Sequence, residues 1–413
     1  MKEIIRSLRY CKAYVSVMAV FFIAFAVMQV INKRFWLHDF QVYYDAATNF
    51  FSGNAVYGIA YGLGSGYYKY SPFALFAFFP LTLIPFDGAK VIYFVFLAVL
   101  IILAVILSDK LVRDKLFNVN PAQPRSLILF LITGSFLQHI YYELHLGNIN
   151  ILLLLLSLTA LYLVLKGKEW AAGAILALAI MIKPHFLILI PLFLLRKRLK
   201  VLISCIFSIV SALLIPSLYT GFKKNLQLLG EWKDTIMVHN DSPVKGQDTI
   251  YSWLYRITGS YIPEAEQYIF VIAVLGFIAL MILAFYMLNK RRESKMPGEH
   301  KEGDKSFIFE FLVLVALIPN LTVTDSEHFL FSVPLIAWVI NYLFLLKPGY
   351  LLTSLSVIIL FMYGGNLREV VGANLSKWMT AQGILGLGNL FLIGFSIYLM
   401  LMNPKKAGQI NIL

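Results

Sequence analysis

Three side chains here have the types and settings for group-transfer chemistry: Asp39, Lys183 and His185. Asp39 opens a polar loop, residues 38–72, directly after the first apolar run. A carboxylate held there, at a bilayer surface, is a candidate general base able to take a proton from a hydroxyl. Its competing reading is a helix-capping aspartate. Lys183, followed by Pro184 and His185, interrupts an apolar run at its middle. Ionisable residues within membrane spans are costly and are functional candidates by default. Snorkelling to the interface is the alternative, but the flanking basic clusters lie some distance away along the chain.

Other polar groups fall on the same predicted side. Gly147, Asn148 and Asn150 form a turn between two apolar runs, and Asp325, Glu327 and His328 form a short link before another. Two carboxylates and one histidine within four residues are a weak metal-ligand set, so no metal site is assigned, and a divalent ion stays open. His328 read alone is equally an interfacial histidine. The Tyr67–Tyr70 stretch reads first as an aromatic interface belt, although sugars also stack on such rings. His139, Glu143 and His145 are spaced along one helical face, as lining residues or as packing.

The scaffold that must position these groups is a membrane one. Of 413 residues, 60% are hydrophobic and only 14% charged, with mean hydropathy +0.77. Soluble domains carry about a quarter charged residues. The formal net charge of +13 does not indicate nucleic acid, because the lysines and arginines sit in short clusters between apolar runs, as the positive-inside rule produces. Cys11 and Cys205 are the two cysteines, which allows no disulfide framework or cysteine metal site.

A span needs about 20 apolar residues. Lys2, Arg6, Arg9 and Lys12 precede the first, residues 13–31, which is read as a retained helix with its N-terminus cytoplasmic. The loop 32–72 is then external, 72–85 is a short helix at the outer surface or half-way in, and 88–108 returns to internal basic residues. Spans follow over 125–144, 149–165, 201–219, 268–288, 307–320, 329–346, 350–364 and 380–402. The run 170–195 has basic clusters at both ends, so it must enter and return. Proline cannot continue a helical ladder and disfavours helix at the residue before it, so two short helices meeting at Lys183-Pro184 make a re-entrant hairpin. Such breaks are tolerated where they line an enclosed cavity. The expected fold is an all-α polytopic membrane protein of about ten transmembrane helices, with the hairpin and external loop helices. It forms a single domain over 1–413, with external loops 32–72 and 220–267 and a cytoplasmic loop 289–305.

The order of motifs resembles a known family: LHDFQVYYDAATNFFSGNAVYG, YKYSPF leading into FPLTLIPF, LGNINILLLLL, AGAILALAIMIKPHFLILIPLFLLRKR, GQDTIYSWLYRITG and DSEHFLFSVPL. Over roughly residues 35–334 this succession resembles glycosyltransferase family 87, the polyprenyl-phosphate-mannose-dependent membrane mannosyltransferases of the GT-C class. The resemblance implies inverting transfer of a hexose, with mannose the expected sugar, from a polyprenyl-phosphate donor to a lipid-linked or cell-envelope glycan acceptor. The active site would lie on the external face of the plasma membrane, and no cofactor is implied. Asp39 matches the family's base, and Lys183 with His185 matches its donor-phosphate segment. Tyr44, Tyr70, Asn148, Asn150, Gln247, Glu327 and His328 are expected to line the substrate. The chain departs from the pattern in two places. Gly147-Asn148 stands where the family often has Gly-Gln, and Glu327-His328 where it has a His pair, which leaves the sugar open.

The chemistry supports that assignment from first principles. Single inversion needs one base opposite the leaving group, whereas double displacement needs two carboxylates about 5 Å apart. A departing phosphate needs positive charge and hydrogen-bond donors, not a general acid, and a lysine at a broken helix supplies the charge. A transporter or flippase of lipid-linked sugars, and a lipid-linked polysaccharide polymerase or ligase, are the alternatives. Transporters usually show paired interrupted helices, and this chain shows one interrupted hairpin.

The topology is directly testable. An impermeant thiol reagent applied to whole cells is expected to label Ser65→Cys and Ser242→Cys and to spare Ser294→Cys. Labelling at Ser294 with protection at Ser65 would invert the orientation.

Overall fold

The computed structural model describes residues 11–62, 66–119, 126–240, 248–258, 276, 300–321 and 325–402. The expected span at 268–288 and the loop residue Gln247 therefore lie outside the described residues, apart from residue 276. The remainder is helical: α1 (Lys12–Ile31), α2 (His38–Phe51), α3 (Leu75–Thr82), α4 (Phe86–Leu111), α5 (Ser126–Ser135), α6 (Leu137–Leu146), α7 (Asn150–Leu165), α8 (Glu169–Ile182), α9 (Ile190–Leu195), α10 (Leu199–Leu214), α11 (Phe222–Asn240), α12 (Ile250–Thr258), α13 (His300–Leu321), α14 (Val333–Leu346), α15 (Tyr350–Gly364), α16 (Ala373–Ala381) and α17 (Ile384–Met402). Strand is confined, among the described residues, to the antiparallel pair Ala60–Tyr61 and Gly66–Tyr67.

This is an all-α polytopic membrane protein. Among the described residues five helices are long and apolar enough to cross a membrane, or six if α5 and α6 are one bent span. Two expected spans emerge as shorter apolar helices, Asn150–Leu165 and Tyr350–Gly364, and the run expected to form the hairpin as the two short helices Glu169–Ile182 and Pro184–Leu195.

Two breaks differ from the sequence expectation. The run 125–144 is not one straight helix, because α5 and α6 meet at a 68° bend. Thr133 and Ser135 each turn a hydroxyl back onto the carbonyl four residues earlier, Leu129 and Leu131, both at 2.8 Å. Such back-bonding beside a glycine, Gly134, bends helices. The last span begins at Ile384 instead of Thr380, because Gly383 takes a left-handed backbone (φ 63°) that ends α16. The break at Lys183 is where proline chemistry puts it. Lys183 is extended (φ −130°, ψ 109°), and Pro184 starts a 3-10 turn over Pro184–Leu189.

The chain forms two compact units, each assembled from separate segments. One, Val15–Ala104 with Ile140–Ser242, contains Asp39 and Lys183. Its core is strongly aromatic. Phe40 stacks on Tyr93 at 4.2 Å between ring centroids, Tyr43 packs on Phe78 at 5.0 Å, and Phe51 on Phe79 at 4.2 Å, which seats α2 on α3 and α4. Helix α11, from the second large loop, docks on the first loop. Trp232 donates to the Lys69 carbonyl at 3.0 Å, and Lys224 to that of Gly53 at 3.0 Å. The other unit, Met1–Tyr14, Val105–His139 and Pro243–Leu413, contains Glu327 and His328. It is organised around the buried Trp338, stacked on Phe117 at 4.6 Å, and a buried amide ladder in which Asn389 donates to the Asn320 side chain at 2.6 Å.

Within the Asp39 unit, α8 is held against α10 at Gly173. A Cβ there would lie 2.3 Å from the Val201 carbonyl and 2.7 Å from Ser204 Cβ. Gly173→Leu is therefore expected to destabilise by about 1–3 kcal/mol through overpacking, read as a lower melting temperature in detergent. Gly230→Ala, on a helix with open space around it, is expected to be neutral or slightly stabilising. Equal melting of Gly173→Leu and wild type would contradict the close contact.

Candidate active site

The site is built on one turn, residues 147–150, between α6 and α7. Gly147 adopts φ 69°, and a Cβ on it would come within 3.0 Å of both Leu37 Cβ and Phe40 Cβ. Glycine is therefore required twice over, for its left-handed backbone and for the close approach. That approach brings the turn against the start of α2, where Asp39 lies. Leu37, the residue before α2, is itself left-handed (φ 51°) and gives no side-chain cap. Asp39 is not the capping residue. It sits in the first turn of α2, and its Oδ2 accepts a hydrogen bond from Asn148 Nδ2 at 2.7 Å.

The other arm of the turn reaches the lysine. Asn150, fully buried, accepts from Lys183 Nζ through Oδ1 at 2.7 Å. Lys183 is itself only 9% exposed, and its ammonium lies 6.0 Å from the centre of the Tyr70 ring. Tyr70 hydrogen-bonds Tyr43 hydroxyl to hydroxyl at 2.9 Å, and Tyr43 donates to Asn148 Oδ1 at 3.4 Å. Asp39, Asn148, Tyr43, Tyr70, Lys183 and Asn150 thus form one open series of polar contacts, in which the step from Tyr70 to Lys183 is from ring to ammonium. Burial, with Tyr70 and then Asp39 nearby, pushes the Tyr43 phenol well above its ordinary range. Tyr43 is therefore a neutral hydroxyl at physiological pH. A carboxylate and an ammonium on the two arms of one turn can take a proton at one end of a substrate and hold an anion at the other.

The remaining expected residues fall as follows. Tyr44 is turned away and donates to the Ile84 carbonyl at 2.8 Å. The tyrosine that reaches Asn148 is Tyr43, which the sequence reading passed over. The helical period explains it, because Asp39 and Tyr43 are four residues apart and share a face, whereas Tyr44 is rotated about 100° further. His185, in the 3-10 turn after Lys183, is partly exposed. Glu327 and His328 are buried in the other unit. There His328 Nδ1 lies 3.3 Å from the Asp325 backbone nitrogen, closing a capping box at the start of Ser326–Ser332. The loop motif containing Asp248 acts as a clip, its Oδ1 accepting from Gly386 N at 3.0 Å. Among the described residues no cluster of three His, Cys, Asp or Glu side chains is arranged to hold a metal.

Removing the Tyr43 hydroxyl breaks its bonds to Tyr70 and Asn148 and leaves its aromatic packing. Tyr43→Phe is expected to slow catalytic turnover about tenfold with less than about 1.5 kcal/mol lost in stability, whereas Tyr44→Phe should leave turnover within about twofold. Equal turnover of the two variants in a transfer assay would contradict the assignment of Tyr43 to the site.

The profile of glycosyltransferase family 87 matches residues 68–297, more than half of the chain. The match includes Tyr70, Asn148, Asn150 and Lys183, and Asp39 precedes it. The chain is 31% identical over 202 residues to the alpha-(1->3)-arabinofuranosyltransferase of Corynebacterium glutamicum, which covers 48% of this chain and 47% of that protein, so the match spans about half of the relative's length. No solved structure matches the chain. A glycosyltransferase is thereby favoured over the transporter that hydropathy alone also allowed, and the chain belongs to glycosyltransferase family 87.

Proposed function

We propose that the chain is an inverting glycosyltransferase that moves mannose from a polyprenyl-phosphate donor to a lipid-linked or cell-envelope glycan acceptor, at the external face of the plasma membrane. The observation that carries this reading is the turn 147–150, which holds Asp39 through Asn148 and Lys183 through Asn150. In the proposed reaction an acceptor hydroxyl oxygen attacks the anomeric carbon as the bond from that carbon to the phosphate oxygen breaks. The hydroxyl proton passes to Asp39, and the electron pair leaves on the polyprenyl phosphate, whose growing negative charge is met by the Lys183 ammonium. One base on the face opposite the leaving group gives inversion. Tyr70, beside the ammonium, offers a ring on which a sugar can stack. The external orientation rests on the charge bias of the sequence.

A second sugar is favoured by one specific observation, the match to a protein named as an arabinofuranosyltransferase. A pentofuranose donor on the same lipid phosphate would use the same base and the same cation.

The test is transfer by the purified, nanodisc-reconstituted chain supplied with polyprenyl-phosphate mannose or polyprenyl-phosphate arabinofuranose. Asp39→Asn, nearly isosteric but without a base, is expected to lose about 100- to 10,000-fold in turnover with the protein still monodisperse. Lys183→Met should weaken donor binding and slow transfer, with Lys183→Arg only partly restoring both, because a planar guanidinium does not replace a compact ammonium. Retention of more than about half the turnover by Asp39→Asn would remove the base. Equal affinity of the three Lys183 forms for a non-hydrolysable donor analogue would remove the cation. Transfer from the arabinofuranose donor alone would replace the mannose reading.

A further inference from the structure

Glu143 is a buried carboxyl group of the Asp39 unit that the proposed chemistry leaves unused. It lies on α6, has no exposed surface, and sits four residues before the turn that carries the site. Its backbone carbonyl accepts from both Gly147 N at 2.9 Å and Asn148 N at 3.0 Å. Its carboxylate spans the other side of the turn. Oε1 accepts from Ile151 N at 2.7 Å, and Oε2 from Asn150 Nδ2 at 3.1 Å. A single residue therefore closes the turn from both ends.

The second of these carboxylate bonds has a consequence for Lys183. An asparagine side chain can face a neighbour as donor or as acceptor, and the network around it decides which. With Nδ2 held by the Glu143 carboxylate, the Oδ1 of Asn150 must point the other way, and there it meets Lys183 Nζ at 2.7 Å. A carboxylate is the side chain that can accept at both Ile151 N and Asn150 Nδ2, because both of its oxygens are acceptors. Glutamine cannot. Whichever way its amide turns, it sets a donor against Ile151 N or against Asn150 Nδ2. Turning Asn150 over to relieve the second clash would point its own NH2 at the ammonium. A capping role alone, through Ile151 N, would need one carboxylate oxygen and would not constrain Asn150.

We propose that Glu143 is a positioning residue, acting through Asn150 to fix the Lys183 ammonium where the leaving phosphate develops charge. This rests on the proposed role of Lys183 at the donor phosphate. Glu143 touches none of the reacting atoms, and Lys183 also lies within its electrostatic reach. Replacing it therefore changes the field at the donor anion as well as the place of the ammonium, so affinity for the donor carries two effects. Turnover is the clean reading, because misplacement of a positioned group by about 1 Å can cost about a hundredfold in rate.

The experiment is a double-mutant cycle on transfer by the full chain in nanodiscs, with titration of a polyprenyl monophosphate alongside. Glu143→Gln is expected to lower kcat at least tenfold in the wild-type background and less than twofold in the Lys183→Met background, because the lysine it positions is then gone. Asn150→Ala keeps Glu143 and its bond to Ile151 N, and is expected to show the same dependence on Lys183, so the test survives if Glu143→Gln fails to fold. The acid limb of the pH–rate profile, assigned to Asp39, should keep its midpoint in Asn150→Ala, which removes no titratable group. If Lys183→Met slows transfer but Glu143→Gln and Asn150→Ala lower kcat equally in both backgrounds, Glu143 is structural and this inference falls alone. If Lys183→Met changes neither kcat nor polyprenyl monophosphate affinity, the donor-phosphate role falls and takes this inference with it.

Discussion

A buried ammonium and a buried carboxyl group, with a part-buried carboxylate beside them, must each be hydrogen-bonded, because an unpartnered buried charge costs several kcal/mol. That constraint explains the turn at residues 147–150. Its two asparagines are neutral, and each can donate and accept. They therefore partner Asp39, Glu143 and Lys183 without cancelling the charge of any of them. Through Asn148 and Asn150, Asp39 and Lys183 each have a neutral hydrogen-bond partner within one turn.

The rest of the Asp39 unit can be read as what holds that turn still. Gly147 admits α2 to within van der Waals contact, and the aromatic stack of Phe40 on Tyr93 and of Tyr43 on Phe78 seats α2 on its neighbours. Gly173 draws α8, the helix that ends at Lys183, tightly against α10. Pro184 forbids that helix from continuing, so the lysine sits at an extended break. Its amino group is then directed to Asn150 instead of following the helical surface. Local backbone chemistry at three positions thus converts generic apolar helices into a site.

Much of this was legible in the sequence, for a physical reason. In a chain with 14% charged residues, a charged or amide side chain inside or beside an apolar run is costly enough to be conspicuous, and Asp39, Lys183, Asn148 and Asn150 stood out on that ground. What was not legible depended on angles and partners. Tyr43 and Tyr44 are adjacent and chemically identical, so only the helical phase relative to Asp39 separates them. Glu143 read as a lining residue because its significance lies in contacts made seven and eight residues later, across a turn whose geometry the sequence does not print. The bend after Ser135 hides in an apolar stretch, since hydropathy does not register a hydroxyl bonding back to its own helix. His328 closes a cap three residues after an aspartate, a contact that the sequence pattern permits but does not distinguish from a place at the substrate.

In the proposed reaction Lys183 and Asp39 face the two ends of one lipid-phosphate sugar. A structure of the full chain with a polyprenyl phosphonate sugar analogue whose anomeric bond cannot break would show this arrangement. A phosphonate oxygen is expected within about 3.2 Å of Lys183 Nζ, with the Asp39 carboxylate on the opposite face of the anomeric carbon. A phosphonate bound elsewhere, with Asn150 still the partner of Lys183, or a sugar presenting its phosphonate to the Asp39 side, would contradict it.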